Sequence, residues 1–229
     1  MITDASVAAA VTAEWNQRTE AEYISAVIAQ QVTLRLLQLG APPDLIRDGL
    51  RIASDELTHS ELSAAVAASA SGEAASPVID PATMALPTGE GALGSLIPSI
   101  VRFFCVGETI AVPLFRMLRQ HCTIPIARSA LDRIMRDETR HRQFGWDVLD
   151  WMLLVGGPEV RQQLADQAPV LVDQVVHAYV VEDQRPDAVL HPELAAWGLA
   201  LPAAYAATAT SALAEEISPR FAARGLVLA

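Results

Sequence analysis

The sequence predicts an all-α fold: a four-helix bundle of two long helical hairpins, joined by one long crossover and followed by two additional C-terminal helices. Three observations predict it. Hydrophobic residues make up 52% of the 229 residues while aromatics make up only 5%, a composition, rich in Ala and Leu, that suits helices packed closely on helices. Glycine and proline gather at a few places and leave long helix-forming segments between them. No segment alternates as a half-buried strand does, and no hairpin turn signal separates two apolar runs.

The elements follow in order. A first helix starts near Ala5 and stops at Gly40-Ala41-Pro42-Pro43. The two prolines suit the entry to a second helix, with Asp44 in its first turn, running to about Ala70. Residues 71–91 hold Gly72, Pro77, Pro81, Pro87, Gly89 and Gly91 and read as a long connection. A third helix spans about Ala92 to His121, and Pro113 inside it is expected to bend it or distort its hydrogen-bond ladder one turn after Glu108. Thr123 and Pro125 start a fourth helix that continues to about Leu154, where Gly156-Gly157-Pro158 stops it. Two more helical stretches are expected near 158–183 and 192–216, separated by Arg185-Pro186-Asp187. The short loops make antiparallel neighbours, and the long connection lets the second hairpin pack beside the first. Residues 1–229 are read as one domain, with the core bundle at about 5–154 and the appended helices at about 158–217.

Charge and composition exclude several roles. A net charge of −11 without a basic cluster argues against nucleic acid and anionic membranes as partners. No basic segment leads into an apolar run at the N-terminus, and no uninterrupted apolar stretch of about 20 residues exists, so neither a signal peptide nor a membrane span is expected. Cys105 and Cys122 have no zinc or redox spacing and read as small buried hydrophobes in a reducing, cytoplasmic location.

Two clusters stand out: Asp55-Glu56-Leu57-Thr58-His59 and Asp137-Glu138-Thr139-Arg140-His141. On a helix, positions i and i+3 share a face. In phase with the first pair lie Ile52, Ser63 and Val66; in phase with the second lie Leu131, Ile134, Met135, Gly145 and Leu149. Both Glu-x-x-His pairs therefore point to the core. One helix before each pair stands another acid. Glu22 is in heptad phase with Trp15, Ala29 and Leu36, and Glu108 is the one charge between Arg102 and Arg116.

Four carboxylates meeting in a bundle core repel one another and lose hydration, at several kcal/mol per ion unless compensated. Two divalent cations supply the opposing charge, and two imidazoles complete the coordination. A Glu from each of two helices with Glu-x-x-His from each of the other two is the ligand set of dinuclear carboxylate bundles. Metal-bound histidines commonly donate their second N–H to a carboxylate. Asp55 is therefore expected to support His141, and Asp137 to support His59, with Arg140 pairing with one of the two aspartates.

With these residues the chain resembles the ferritin-like di-iron carboxylate superfamily. Glu22, Asp55-Glu56-x-x-His59, Glu108 and Asp137-Glu138-x-x-His141 match its ligand pattern over roughly residues 15–150. The phrases Leu39-Gly40-Ala41-Pro42-Pro43-Asp44-Leu45 and Cys105-Val106-Gly107-Glu108-Thr109 are similar to recurring phrases in a group of actinobacterial and myxobacterial ferritin-like proteins, which selects Glu22 over Glu14 or Glu20 as the first ligand. The resemblance implies a site of two iron ions, with manganese the alternative, and O2 as co-substrate. It implies Glu22, Glu56, His59, Glu108, Glu138 and His141 as the catalytic metal ligands, with Asp55 and Asp137 behind them. It further implies an oxygenase or oxidase that hydroxylates, N-oxygenates, desaturates or cleaves a small molecule, fed by an external electron donor, with a homodimer as one assembly left open.

Other features rank lower. Tyr23 stands about 100° off the face of Glu22, which disfavours a radical-generating role. Ile134 stands where an N-oxygenase branch carries an extra histidine. His177 reads as a core or interface residue, with a seventh ligand or pocket residue as the alternative, whereas His121 and His191 are poor ligand candidates. Tyr179 and Trp197 are expected to cover the bundle, and Thr109 to be an ordinary helical threonine. Val112, Ala26, Ala29 and Val106 are expected to leave a small apolar pocket beside the metals. Iron storage and peroxide scavenging remain the competing functions; the chain after the fourth helix is long for a storage shell, and rubredoxin-type cysteine pairs are lacking.

Overall fold

The computed structural model describes residues 2, 4–73, 91–179 and 189–228, and the described residues are helical with no strand. Helix α1 spans Ala5–Gln38, opened by Asp4, whose carboxylate accepts from the Ser6 N–H at 2.8 Å. Helix α2 spans Pro43–Ser71 and ends on the left-handed Gly72 (φ 79°). The short turn through Gly40 folds α1 and α2 into an antiparallel hairpin. Ser60 donates to the Thr19 carbonyl at 2.9 Å at one level, and Gly49 lies against Thr33 at another. A Cβ on Gly49 would come within 2.2 Å of the Thr33 hydroxyl, so glycine sets this close approach. Most of the expected connection, 74–90, lies outside the described residues.

Helix α3, Gly94–Gln120, is composite. A 3₁₀ turn, Gly94–Leu96, and a short α piece, Ile97–Ser99, lead into a π-helical segment, Ile100–Gly107, followed by regular α-helix from Glu108 to Gln120. The expected distortion therefore falls before Glu108, not one turn after it, and Pro113 sits inside the regular part. The i→i−5 bond from the Glu108 N–H to the Phe103 carbonyl closes the widened turn. Gly107 faces the Arg102 carbonyl, where a Cβ would stand 3.2 Å away. By length and composition α3 could cross a membrane, but 67% of its most apolar window is buried inside the protein. Its hydrophobicity serves the core.

Helical hydrogen bonding then runs over Pro125–Ala178, but Gly157 (φ 55°, ψ −145°) breaks the direction and divides it into α4, residues 125–156, and α5, residues 158–178. This is the stop expected at Gly156-Gly157-Pro158. Arg185-Pro186-Asp187 and the expected end of the fifth helix lie outside the described residues. The expected single helix over 192–216 is instead broken into α6, Pro192–Ala196, and α7, Pro202–Ala212, which continues through a π turn, Leu213–Ile217, into α8, Ser218–Ala222. Gly198, left-handed at φ 79°, ends α6, and Pro202 restarts the helix.

Helices α3 and α4 form the second hairpin, fixed by Phe104 edge-on to Phe144 (5.1 Å) and by the Trp146 indole donating to Thr109 at 3.2 Å. The buried apolar residues divide into two clusters. One holds Ile28, Leu36, Ile52, Ile100, Phe144 and Trp146; the other holds Trp15, Val66, Leu118, Leu131 and Ile134. On each of the four long helices the predicted ligands lie between residues of the first cluster and residues of the second, so a polar belt crosses an otherwise apolar interior.

Candidate metal centre

Helix α2 contributes Glu56 and His59, and α4 contributes Glu138 and His141. One potential ligand atom from each lies within 4.8 Å of all the others, and all four residues are buried. Each carboxylate spans both imidazoles. The two Glu56 oxygens lie 3.5 Å from His59 Nδ1 and 3.0 Å from His141 Nδ1. The two Glu138 oxygens lie 3.7 Å from the same two nitrogens. Glu22, on α1, reaches His59 Nδ1 at 3.8 Å, while Glu108, on α3, faces Glu138. The structure thus gathers all six predicted ligands in one buried group, with Glu22 and Glu108 on its two flanks.

The two Asp-Glu-x-x-His segments are related by an approximate two-fold axis, because α2 and α4 run antiparallel through the centre. Asp137 Oδ2 lies 3.3 Å from His59 Nε2, and Asp55 Oδ2 lies 3.6 Å from His141 Nε2. Each aspartate therefore faces the histidine of the opposite hairpin. Arg140 donates to Asp55 at 2.8 Å. Arg133 was not anticipated, yet it contacts both aspartates, at 2.5 Å to Asp137 and 3.3 Å to Asp55. Its i,i+4 relation to Asp137 was the available signal.

Electrostatics shows what this cluster lacks. Burial and the neighbouring Glu56 push the Glu22 carboxyl up to about 8, and burial with Glu138 pushes Glu108 well above the carboxylate range. Burial opposes charge on His59, but Glu22 and Glu56 outweigh it and raise the ring to about 10. His141 moves the same way: burial opposes its charge, while Asp55, Glu138 and Glu56 prevail. Burial likewise raises Glu56, yet the His141 and His59 rings beside it hold it well below its ordinary value. Without metal, Glu22, Glu108, His59 and His141 are therefore all shifted towards retaining their protons.

The orphaned atoms mark where a ligand fits. His59 Nδ1, His141 Nδ1, Glu56 Oε2 and Glu138 Oε2 are buried without a hydrogen-bond partner, as is His141 Nε2 on the Asp55 side. Native proteins rarely leave such atoms unsatisfied. The first four belong to the inward-facing ligand set, and a nitrogen-and-carboxylate donor set of this kind suits first-row metals. The residues fit a metal.

A cavity of about 420 Å³ adjoins the cluster, and Glu22, Glu56, Glu108 and Glu138 form part of its wall. The remainder includes Ala21, Ser25, Phe103, Gly107, Ala111 and Phe115, with Val175 from α5, Tyr179 at the end of α5 and Tyr205 from α7. The residues expected to line it, Val112, Ala26, Ala29 and Val106, do not; they pack in the core instead. The π-helical segment rotates the face of α3, and on α1 the positions in heptad phase with Glu22 turn into the helix interface. Burial, followed by the charges of Glu108 and Glu138, raises the Tyr179 phenol to about 12, so it keeps its proton.

Several secondary expectations are corrected. His177 is neither ligand nor core residue: its side chain is 76% exposed and lies 3.5 Å from Asp173. Its 3.6-residue phase on α5 turns it outward, while Gln174, Val175 and Ala178 face the cavity. Glu14 is engaged elsewhere, accepting from Arg18 at 2.9 Å and from the Tyr205 hydroxyl at 2.7 Å. Trp197 is buried, and its carbonyl accepts from the Trp15 indole at 3.1 Å. Cys105 and Cys122 are free and buried. Comparison with protein-family models, curated proteins and solved structures finds no match to this chain.

Proposed function

We propose that this chain is a non-haem di-iron oxidoreductase with a ferritin-like four-helix bundle, using O2 to oxidise a small organic molecule. The observation that carries the proposal is the pair of carboxylates, Glu56 and Glu138, each spanning both buried histidines beside a largely apolar cavity. In this reading Glu56, Glu138, His59 and His141, with Glu22 and Glu108 on the flanks, would hold two ions. Bound iron would supply the two-electron reduction of O2 that makes hydroxylation, N-oxygenation, desaturation or C–C cleavage accessible, with an external donor returning the electrons.

The protein's own groups perform the rest. Asp137 accepts from the His59 Nε2–H, fixing the tautomer that turns its Nδ1 inward, while Asp55 stands 3.6 Å from His141 Nε2 and orients that ring electrostatically. Against burial, His141 and Arg140 lower the Asp55 carboxyl, and Arg133 and His59 lower that of Asp137. Helices α5 and α7 roof the cavity, orient a substrate along it and limit the access of water, while Tyr179 presents a protonated hydroxyl on its wall.

Oxygen uptake after anaerobic loading with Fe(II) tests the proposal. Uptake should scale with bound iron, exceed that of free Fe(II), and fall sharply in Glu108→Ala. Uptake no faster than free Fe(II) would remove the enzymatic reading.

A further inference from the structure

We infer that the cavity takes a small organic acid, an apolar body bearing one carboxylate, and that Arg102 holds the carboxylate. The inference rests on the oxidoreductase reading only for treating this ligand as a substrate; the binding site itself stands on separate observations.

Two arginines line the cavity, and they differ. The Arg18 side chain is only 9% exposed; it pairs with Glu14 at 2.9 Å and stacks over Trp15 at 4.3 Å. Its charge is paired with a carboxylate, although its Nη1 is also buried without a partner. Arg102 makes no hydrogen bond or ion pair among the described residues, and its Nε is buried without a partner. A guanidinium is always charged and offers a planar fork that matches a carboxylate. An unpaired one on the wall of a cavity is a binding group awaiting an anion.

The cavity also orients such an anion. Arg35 meets Ser95 at 2.6 Å, and Arg18 lies 5.9 Å from the Phe115 ring, so α1 and α3 run antiparallel and the two arginines lie towards opposite ends. The acidic wall of Glu22, Glu56, Glu108 and Glu138 lies between them. Arg102 is itself half-buried, and the lining includes exposed Gln174 and Ala178, so the cavity meets solvent. A carboxylate there keeps part of its hydration, stays away from the acidic wall and pairs with the free cation. The apolar body then runs inward along Phe103, Ala111, Leu114 and Phe115. Arg102 precedes Glu108 by six residues, at most about 9 Å of helical rise, so the carbon nearest the metal ligands lies several bonds from the carboxylate.

Calorimetry on the metal-free chain tests this, because a carboxylate cannot ligate iron there. Hexanoate, octanoate and benzoate are compared with their primary amides. At least one acid should bind more tightly than its amide. Arg102→Gln should weaken that acid by about 10- to 100-fold and leave the amide unchanged. Arg102→Lys should retain part of the preference. Unchanged circular dichroism of the Gln variant establishes that it is folded. Equal affinity for acid and amide, no binding of any acid, or an acid affinity insensitive to Arg102→Gln would overturn the inference. Iron content and oxygen uptake of the same preparations separate the two readings. Selective acid binding without iron-dependent uptake leaves the carboxylate site standing and removes the oxidoreductase, and the opposite result does the reverse.

Discussion

His59 and His141 face each other across the core with ring centroids 5.6 Å apart, each with Nδ1 turned to the shared carboxylates and Nε2 to an aspartate of the opposite hairpin. Each hairpin thereby holds the other's histidine in place.

Removing a brace should weaken metal binding without emptying the site. Asp137→Ala, which frees His59 Nε2, should lower metal affinity by about 10- to 100-fold. Arg133→Gln, which leaves the aspartate in place, should cost less than Asp137→Ala. Metal titration with a competing chelator checks both, and affinities equal to wild type would show that the outer nitrogens do not govern the inner ones.

Metal uptake should release protons. In the metal-free protein Glu22 is raised to about 8 and His59 to about 10, so both hold protons near neutrality. Metal binds the deprotonated groups. Affinity should therefore rise as pH increases from 6 towards 8 and above, and fall on acidification. Calorimetric titrations in two buffers of different ionisation enthalpy count the protons; an affinity independent of pH across this range contradicts the electrostatic picture.

The approach of α3 to α4 depends on Gly145, one turn beyond His141. A Cβ there would stand 2.6–2.7 Å from the Phe104 backbone and Cβ, and the Gly145 carbonyl accepts from the Cys105 thiol at 3.4 Å. Gly145→Ala must push the helices apart and should destabilise the fold by about 1–3 kcal/mol. A thermal unfolding midpoint equal to wild type would show that the hairpin is looser than its geometry implies.

How much was legible follows from what each signal encodes. Helix ends are written locally: Gly40, Pro43, Pro125 and Gly157 all mark the boundaries expected of them. The convergence of Glu22, Glu56, His59, Glu108, Glu138 and His141 was legible because polar residues in phase with apolar ones have one place to go. The π-helical segment was not legible, since Ile100–Gly107 reads as an ordinary apolar helical run and its extra residue per turn is a tertiary outcome. The lining of the cavity shifted with it. Gly198 and Pro202 break the helical stretch expected near 192–216, although both carry ordinary helix-ending and helix-starting signals. The outward turn of His177 follows from packing of α5 that the sequence does not state.

The central claim is that the four helices hold two metal ions through Glu56 and Glu138. The most direct measurement is the iron-to-protein ratio after anaerobic Fe(II) loading and removal of unbound metal, for wild type, Glu56→Ala and His141→Ala. The account predicts about two iron ions per wild-type chain and a clear loss in both variants. A wild-type ratio of one or below, or full occupancy retained in both variants, would contradict it.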